Sequence, residues 1–175
     1  LALRLAAAAL AFACTAAHAQ PDPSKTLRVA FLIAETGFDP QASSDLYSNY
    51  VNRVLFDPLF RYDYLARPAT RLVPKTAAAL PEISADFRTL TFRIRPGIHF
   101  QSDPAFKGKP RELVAEDYVY SIKRTLDPNL RSGGDPALTD LIVGARKIVD
   151  AARKPGGRFD YDAPMDGLRA TDRDT

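Results

Sequence analysis

Hydrophobic and polar residues alternate strictly over residues 89–95, which read TLTFRIR. A period of two places successive side chains on opposite faces of a strand, so Leu90, Phe92 and Ile94 share one face. The polar residues between them occupy the other face, and the segment is predicted to be a half-buried strand. Residues 96–97 are Pro-Gly and end it in a turn, because proline cannot donate to a ladder and glycine tolerates tight turns.

A period of three to four residues predicts an amphipathic helix after residue 43. Ser43 or Ser44 is the expected N-cap, because a hydroxyl can accept a hydrogen bond from the first turn. Residues 57–58 are Asp-Pro and end the helix, since the residue before a proline avoids helical dihedral angles. The predicted apolar stripe consists of Leu46, Tyr50, Val51, Val54 and Leu55.

Two further helices are predicted in the second half of the chain. Glu116 and Asp117 fall in the first turn of one, where acidic side chains favour the helix N-terminus, and residues 127–128 end it. Its apolar positions are Val119, Ile122 and Leu126. Apolar periodicity over residues 137–154 predicts one continuous helix, which the following Pro-Gly-Gly stops.

Three short segments complete the predicted order of elements. Residues 27–33 read LRVAFLI and predict a buried central strand. Residues 59–64 predict a short strand that carries aromatic side chains, and residues 168–171 predict the beginning of another. Strands interleaved with helices in this way predict a mixed α/β domain.

Residues 1–19 have the features of a secretory signal peptide. Arg4 precedes an apolar run, and residues 17–19, Ala-His-Ala, supply small residues at the two positions that a signal peptidase reads. Cleavage is expected before Gln20. The mature chain would then begin with a proline-rich polar leader over residues 20–26.

Two alternatives use the same N-terminal segment. A transmembrane anchor needs about 20 apolar residues, and this run is shorter. Lipidation of Cys14 would tether the mature protein to a membrane, but residues 11–13 match the usual leucine-small-small pattern poorly. Cys14 is the only cysteine in the sequence, so removal of the segment excludes disulfides, thiolate metal sites and a cysteine nucleophile.

The composition is that of a globular protein, with 46% hydrophobic and 26% charged residues. The formal net charge of +3 arises from interspersed acids and bases and not from a basic block. Arg93 and Arg95 lie on the polar face of the predicted strand, and Lys123 and Arg124 lie on the polar face of a helix. A solvated surface explains these cations better than a nucleic-acid site.

Residues 72–124 carry the most specific pattern in the chain. They read LVPKTAAALPEISADFRTLTFRIRPGIHF, then a polar insertion, then LVAEDYVYSIKR. This order resembles the family 5 extracellular solute-binding proteins, the dipeptide- and oligopeptide-binding subunits of ABC importers. The alternating strand of that family has its counterpart at residues 91–100, and its acidic helix start has its counterpart at residues 115–121. The chain departs from the pattern by lacking tryptophan, by a longer insertion over residues 101–113, and by Val114 in place of an N-cap hydroxyl.

The resemblance implies a mixed-sheet α/β lobe of a two-lobed periplasmic-binding-protein-like (type II) fold, of which residues 27–175 are an incomplete N-terminal part. It implies a monomeric, non-enzymatic periplasmic subunit that captures a peptide or other small solute. The implied partners are ABC permease and ATPase subunits, with no cofactor and no nucleic acid. A sensory or regulatory protein that reuses the fold is the alternative, and an enzyme is a more distant one.

The expected ligand-binding residues are Glu35, Thr36, Gly37 and Phe38, which follow the first predicted strand. Open α/β sheets bind ligands at the carboxyl ends of their strands, and glycine permits close approach of the backbone. The resemblance places this turn at the border of the ligand cleft. Thr36 would exchange a hydrogen bond with the ligand, Phe38 would wall a side-chain pocket, and Glu35 would face an amine. In the alternative interpretation Phe38 fills the core and Glu35 is solvated.

Other polar motifs support no catalytic and no metal site. Residues 132–135, Ser-Gly-Gly-Asp, offer a glycine-rich turn that a plain loop explains equally well, and residues 107–109 are expected to be a surface loop. His99 stands alone on its strand and is expected to be a partly buried structural residue. Glu112 and Glu116 carry the chemistry of a general acid and base, but nothing in the sequence brings them together in a pocket.

Overall fold

The computed structural model describes residues 22–68, 70–130 and 135–175. The described residues divide into a short unit that ends at Leu32 and a larger unit, Ile33–Thr175. The α-helices are α1 (Leu46–Leu55), α2 (Ala115–Leu126), α3 (Pro136–Leu141) and α4 (Ala145–Ala152). The strands are β1 (Phe60–Tyr62), β2 (Leu72–Pro74), β3 (Glu82–Ile83) and β4 (Leu90–Thr91), and a 3₁₀ turn covers Pro104–Phe106.

The described strands form two small antiparallel sheets. Strand β1 pairs with β2 so that Arg61 lies opposite Val73, and β3 pairs with β4 so that Ile83 lies opposite Leu90. The predicted mixture of helices and strands is confirmed. The predicted single mixed sheet is not formed by the described residues, because each strand of these two hairpins has only its own neighbour.

The prediction of a buried central strand over residues 27–33 is wrong for this structure. These residues form no strand, and Leu27 and Leu32 expose 87% and 92% of their surface. A central strand needs hydrogen-bonded neighbours on both sides, and the sheets of the described residues contain two strands each. The apolar run alone therefore does not produce a strand.

The alternating segment at residues 89–95 is only partly a strand. Ladder pairing is limited to β4, and Leu90 remains 51% exposed. Ile94 is buried, because its N–H donates to the carbonyl of Asp174 and it bridges to Ala77. The predicted turn is confirmed at Gly97, whose φ is 81°. The apolar face is therefore covered at one end only.

Helix α1 ends where the sequence predicts, but two other expectations for it are wrong. The N-cap is Asp45, and not Ser43 or Ser44, because the Asp45 carboxylate accepts a hydrogen bond of 2.8 Å from the N–H of Ser48. The predicted apolar stripe faces outward, and its most exposed members are Leu46, Val54 and Leu55. The buried residues of α1 are instead Ser48 and Asn52. The helix thus turns a polar face toward the rest of the described chain.

Helix α2 has the predicted bounds and finds a cap without an N-cap hydroxyl. The N–H of Val114 donates to the carboxylate of Asp117 over 2.9 Å, and the same carboxylate receives two hydrogen bonds from Arg111. The N–H of Ala115 donates to the carbonyl of Arg173 over 2.9 Å. A carboxylate in the first turn thus satisfies an orphan donor and places negative charge at the helix N-terminus.

The helix predicted over residues 137–154 is two helices, α3 and α4, with a break before Gly144. Gly144 has φ of 88°, which is incompatible with a continuing right-handed helix. The N–H of Gly167 donates to the carbonyl of Val143, so the break is held by a distant segment. The strand predicted over residues 168–171 is also absent, and Leu168 makes only a single bridge to Met165.

The core lies between α2, α4 and the chain that follows α4. Its buried members are Leu126, Ala145, Ile148, Val149, Ala152, Phe159 and Met165. A buried cation borders it, since Lys123 is 7% exposed and its ammonium donates to the carbonyls of Tyr161 and Ala163 over 2.7 and 3.1 Å. The hydroxyl of Tyr161 donates to the buried carboxylate of Asp127 over 2.7 Å. Burial and this hydrogen bond raise the pKa of the Tyr161 phenol above its ordinary value.

Replacement of Gly167 by alanine is predicted to destabilise the protein by about 1–3 kcal/mol, the usual cost of overpacking. A Cβ at Gly167 would lie 2.5 Å from the backbone nitrogen of Val143, so the backbone itself must move. The matched control is Gly37→Ala, because a Cβ there meets nothing within 4 Å. Urea denaturation of the full-length variants measures the difference. Equal midpoints for the two variants would refute the assignment of this contact.

Candidate functional site

The four expected ligand residues lie in a turn that runs along the N-terminus of helix α1. The first fixed point is the side chain of Ser48, which is completely buried. Its hydroxyl oxygen accepts hydrogen bonds from the N–H groups of Thr36 and Gly37, over 2.9 and 3.4 Å. The Ser48 side chain, which lies in the first turn of helix α1, therefore fixes the backbone of residues 36–37.

Asp45 fixes the same turn through a second contact. One of its carboxylate oxygens caps α1, and the other accepts a hydrogen bond of 2.5 Å from the hydroxyl of Thr36. Three hydrogen bonds to the charged form, from the Ser48 side chain, the Ser48 backbone and Thr36, hold the pKa of Asp45 well below its ordinary value. Asp45 is thus ionised across the physiological range and joins the helix cap to the turn.

Asp39 fixes the far end of the turn. Its carboxylate receives two hydrogen bonds from Arg124, of 3.2 and 2.6 Å, and one of 3.1 Å from the N–H of Gln41. Its carbonyl accepts the hydroxyl of Ser43 over 2.9 Å, and Asn52 donates to that hydroxyl oxygen over 3.0 Å. The guanidinium of Arg124 holds the pKa of Asp39 below its ordinary value.

Glu35, Thr36 and Phe38 are the exposed members of the turn, and the hydroxyl of Thr36 is bonded to Asp45. Phe38 is 49% exposed, so the alternative in which it fills the core does not hold within the described residues. Glu35 is exposed and has no ion pair with another described residue, as its solvated alternative requires. The turn therefore exposes one carboxylate and one aromatic face, while the N–H groups of Thr36 and Gly37 are bonded to Ser48.

Sequence reasoning missed three residues that hold this turn, namely Asp45, Ser48 and Arg124. Asp45 carries a detectable signal, because aspartate is a preferred N-cap residue just before an apolar periodic run. Ser48 lies inside the helix and carries no comparable signal. Arg124 carries no such signal either, since it lies 85 residues from its partner Asp39.

The secondary polar candidates have structural roles or lie outside the described residues. Residues 1–21 and 132–134 are outside them, so the predicted signal peptide, Cys14 and most of the glycine-rich turn stay predictions. Asp135 caps α3 by accepting from two backbone N–H groups. Residues 107–109 form an exposed loop, as expected.

The interpretation of His99 as partly buried is wrong, because His99 is exposed. It forms an isolated β-bridge with Glu112, and its ring nitrogen Nδ1 lies 3.1 Å from the carbonyl oxygen of Gly97. Glu112 accepts a hydrogen bond of 2.6 Å from the N–H of Gly97 and pairs with Arg173. These donors lower the pKa of Glu112, with the Gly97 N–H making the largest contribution. The partners of Glu112 fix a turn, and Glu116 is exposed on α2.

The described surface includes two depressions that residues 35–38 do not line. One, of about 570 Å³, is formed by the loop between β1 and β2, and the other, of about 330 Å³, lies between α2 and residues 164–170. Across residues 22–68, 70–130 and 135–175, no helix is long and apolar enough to cross a bilayer. The same ranges contain no group of three His, Cys, Asp or Glu side chains that could hold a metal ion.

Comparison with known proteins gives one family and several relatives. The model of the bacterial extracellular solute-binding proteins, family 5 middle region, matches residues 71–175. Di/tripeptide-binding protein 2 of Pseudomonas aeruginosa (strain UCBPP-PA14) is 38% identical over 84% of this chain, and protein XP55 of Streptomyces lividans is 31% identical over 91%. Probable di/tripeptide-binding protein 5 of the same Pseudomonas strain is 37% identical over 72%. The chain spans 28%, 27% and 23% of the lengths of these relatives, respectively.

Asp39→Asn is predicted to lower the melting temperature at pH 7, by an amount equivalent to about 0.2–1 kcal/mol for a partly exposed ion pair. Because Arg124 lowers the pKa of folded Asp39, the pair stabilises fully above the unfolded pKa of about 3.9, and its contribution is lost as the pH falls through the folded pKa. The gap between variant and wild type should therefore narrow below about pH 4.

Thermal unfolding of the two full-length proteins from pH 7 to pH 3 measures this gap. The control is Asp150→Asn, which removes an exposed carboxylate that has no ion pair among the described residues. A gap that is constant with pH would show that the Asp39 charge does not stabilise the fold.

Proposed function

This chain belongs to the bacterial extracellular solute-binding proteins of family 5, and we propose that it forms part of an exported binding subunit of an ABC importer. The subunit captures a peptide-like solute in the periplasm and presents it to a membrane permease driven by ATPase subunits. The observation that carries the proposal is the family match over residues 71–175. The family consists of binding proteins, which also argues against an enzymatic role.

Di- and tripeptides are the proposed solute class. Two of the three relatives described above are named for binding them, and one of these aligns with 84% of the chain. A short peptide presents an ammonium, a carboxylate and amide groups, and it needs hydrogen-bond partners as well as room for variable side chains. The binding subunit acts as a monomer and closes two lobes on the peptide by a hinge.

We propose that Glu35, Thr36, Gly37 and Phe38 border the peptide, and the chemistry of the turn supports this role. The N–H groups of Thr36 and Gly37 are already used by Ser48. No backbone N–H of the described residues donates to the four backbone carbonyls of residues 35–38. What the turn offers a ligand is therefore a set of acceptors, which suits the amide N–H groups or the ammonium of a peptide.

The exposed side chains of Glu35 and Phe38 extend this proposal. Glu35 supplies a negative charge beside the carbonyls, which favours the α-ammonium of a peptide. Phe38 supplies an aromatic face for a peptide side chain, and half of its surface is available for that contact. The proposed turn thus combines charge recognition with a surface that tolerates different apolar side chains.

Export is proposed from residues 1–19, which carry the pattern of a signal peptide. Cleavage before Gln20 would release the protein into the periplasm, whereas lipidation of Cys14 would hold it at a membrane. N-terminal sequencing of the purified mature protein distinguishes the two outcomes, and an intact N-terminus on cytoplasmic protein would favour the regulatory alternative.

The full-length mature protein is predicted to gain thermal stability when di- or tripeptides are added. A ligand that binds only the folded state stabilises it by about 2.7 kcal/mol when its concentration is 100-fold above Kd. A thermal-shift screen of dialanine, trialanine and a wider panel of di- and tripeptides measures the effect, with free alanine as the control. Opines, sugars and metal chelates form the comparison panel. Stabilisation by a member of that panel alone, or by no compound, would contradict peptide binding.

Gly37→Ala is predicted to weaken peptide binding at least several-fold while the melting temperature of the ligand-free protein stays unchanged. A Cβ at this position meets nothing within 4 Å in the described chain, so any loss must come from the space that the ligand occupies. Isothermal titration calorimetry with the best peptide of the screen measures Kd, and the melting temperature of the ligand-free variant serves as the control for folding. Unchanged affinity would show that the peptide backbone does not approach residue 37.

A further inference from the structure

The turn that we propose to border the peptide is held at two separate points. At its start, Thr36 and Gly37 are bonded to Ser48 and Asp45 of the α1 N-terminus. At its end, Asp39 is bonded to Arg124 of α2. Phe38 lies between these points, and its backbone is therefore restrained from both sides. Two restraints around one residue fix the direction in which its side chain and carbonyl point.

The bond between Asp39 and Arg124 has the geometry of a strong ion pair. Two different guanidinium nitrogens each donate to a different carboxylate oxygen, which is the bidentate arrangement that specifies orientation as well as distance. The side chains of Arg124 and Asp39 are 29% and 40% exposed, so the pair is partly withdrawn from water. The pair at Arg146 and Asp140 is 61% and 60% exposed and offers a matched surface comparison.

Arg124 is itself carried on a fixed support. Its neighbour Lys123 is buried and bonded to two backbone carbonyls, and Leu126 is completely buried in the core. A displacement of Asp39 relative to α2 must therefore break the ion pair, because the helix cannot follow it. The position of the turn is thus held relative to the core as well as to α1.

We propose that Arg124 is a positioning residue for peptide binding, which holds residues 36–39 in the binding conformation through Asp39 without touching the peptide. This inference rests on the proposed function of residues 35–38. An ordered turn loses less conformational entropy when the ligand binds, so affinity depends on the pair although neither charge faces the ligand. Loss of the pair leaves the chemistry of the turn intact and increases the number of its conformations.

The test compares Arg124→Gln, Arg124→Lys, Asp39→Asn and the double variant Asp39→Asn/Arg124→Gln with Arg146→Gln in the full-length protein. Titration calorimetry with dialanine and trialanine gives Kd, and hydrogen exchange of the ligand-free protein reports the order of residues 36–39. Arg124→Gln and Asp39→Asn should each raise Kd about two- to fivefold and speed exchange over residues 36–39. The double variant should have nearly the same Kd and the same exchange rate as each single variant, since both changes break the same pair.

Arg124→Lys should recover part of the affinity, because it keeps the charge and loses the bidentate geometry. Arg146→Gln should bind like the wild type. Unchanged Kd in Arg124→Gln, with peptide binding by the wild type, would overturn the inference and leave the proposed function standing. A raised Kd with unchanged exchange would also overturn it, because Arg124 would then contact the peptide directly. If the wild type binds no peptide, the proposed function fails, and with it the inference, whatever the exchange shows.

Discussion

The burial of helix α2 is the constraint on which the rest of the described structure depends. Its last turn places Leu126 in the core that α4 completes. One turn earlier, Lys123 brings a cation into the interior, and its ammonium has to be satisfied there because an unpaired buried charge is costly. The carbonyls of Tyr161 and Ala163 satisfy it, so the chain after α4 cannot leave the helix without exposing or orphaning these groups.

The other faces of α2 connect the remaining segments to this core. Tyr118 shares a hydrogen bond of 2.5 Å with the buried hydroxyl of Thr76, which donates in turn to the carbonyl of Pro58. The hairpin of β1 and β2 is thereby joined to the helix, although its own ladder is only three residues long. Arg124 donates a hydrogen bond to the carboxylate of Asp39 and thereby links the turn that follows residue 35 to α2. A single helix thus positions both the scaffold and the candidate ligand turn.

Local chemistry explains which helix boundaries could be predicted. The start of α2 depends on Asp117 and its end on the Asp-Pro pair, and both act on their immediate neighbours. The cap of α1 is Asp45 and not one of the predicted serines, and this choice also has a local cause. The hydroxyl of Ser43 donates a hydrogen bond to the carbonyl of Asp39, and the carboxylate of Asp45 accepts the N–H of Ser48 as the N-cap. The residue types narrow the choice of cap, and the hydrogen bonds that neighbouring residues make decide it.

Residues close together in the chain were enough to predict the family, a mixture of helices and strands, the Pro-Gly turn at Gly97 and the bounds of α2. The predicted interleaving of strands with helices did not hold, because the strands expected over residues 27–33 and 168–171 are absent. The sequence also marked residues 35–38 as ligand candidates. The tertiary structure alone decided that α1 buries Ser48 and Asn52 in place of its apolar stripe, and that Asp39 meets Arg124. These outcomes depend on which distant surfaces come into contact, and periodicity along one segment carries no information about the partner that covers it.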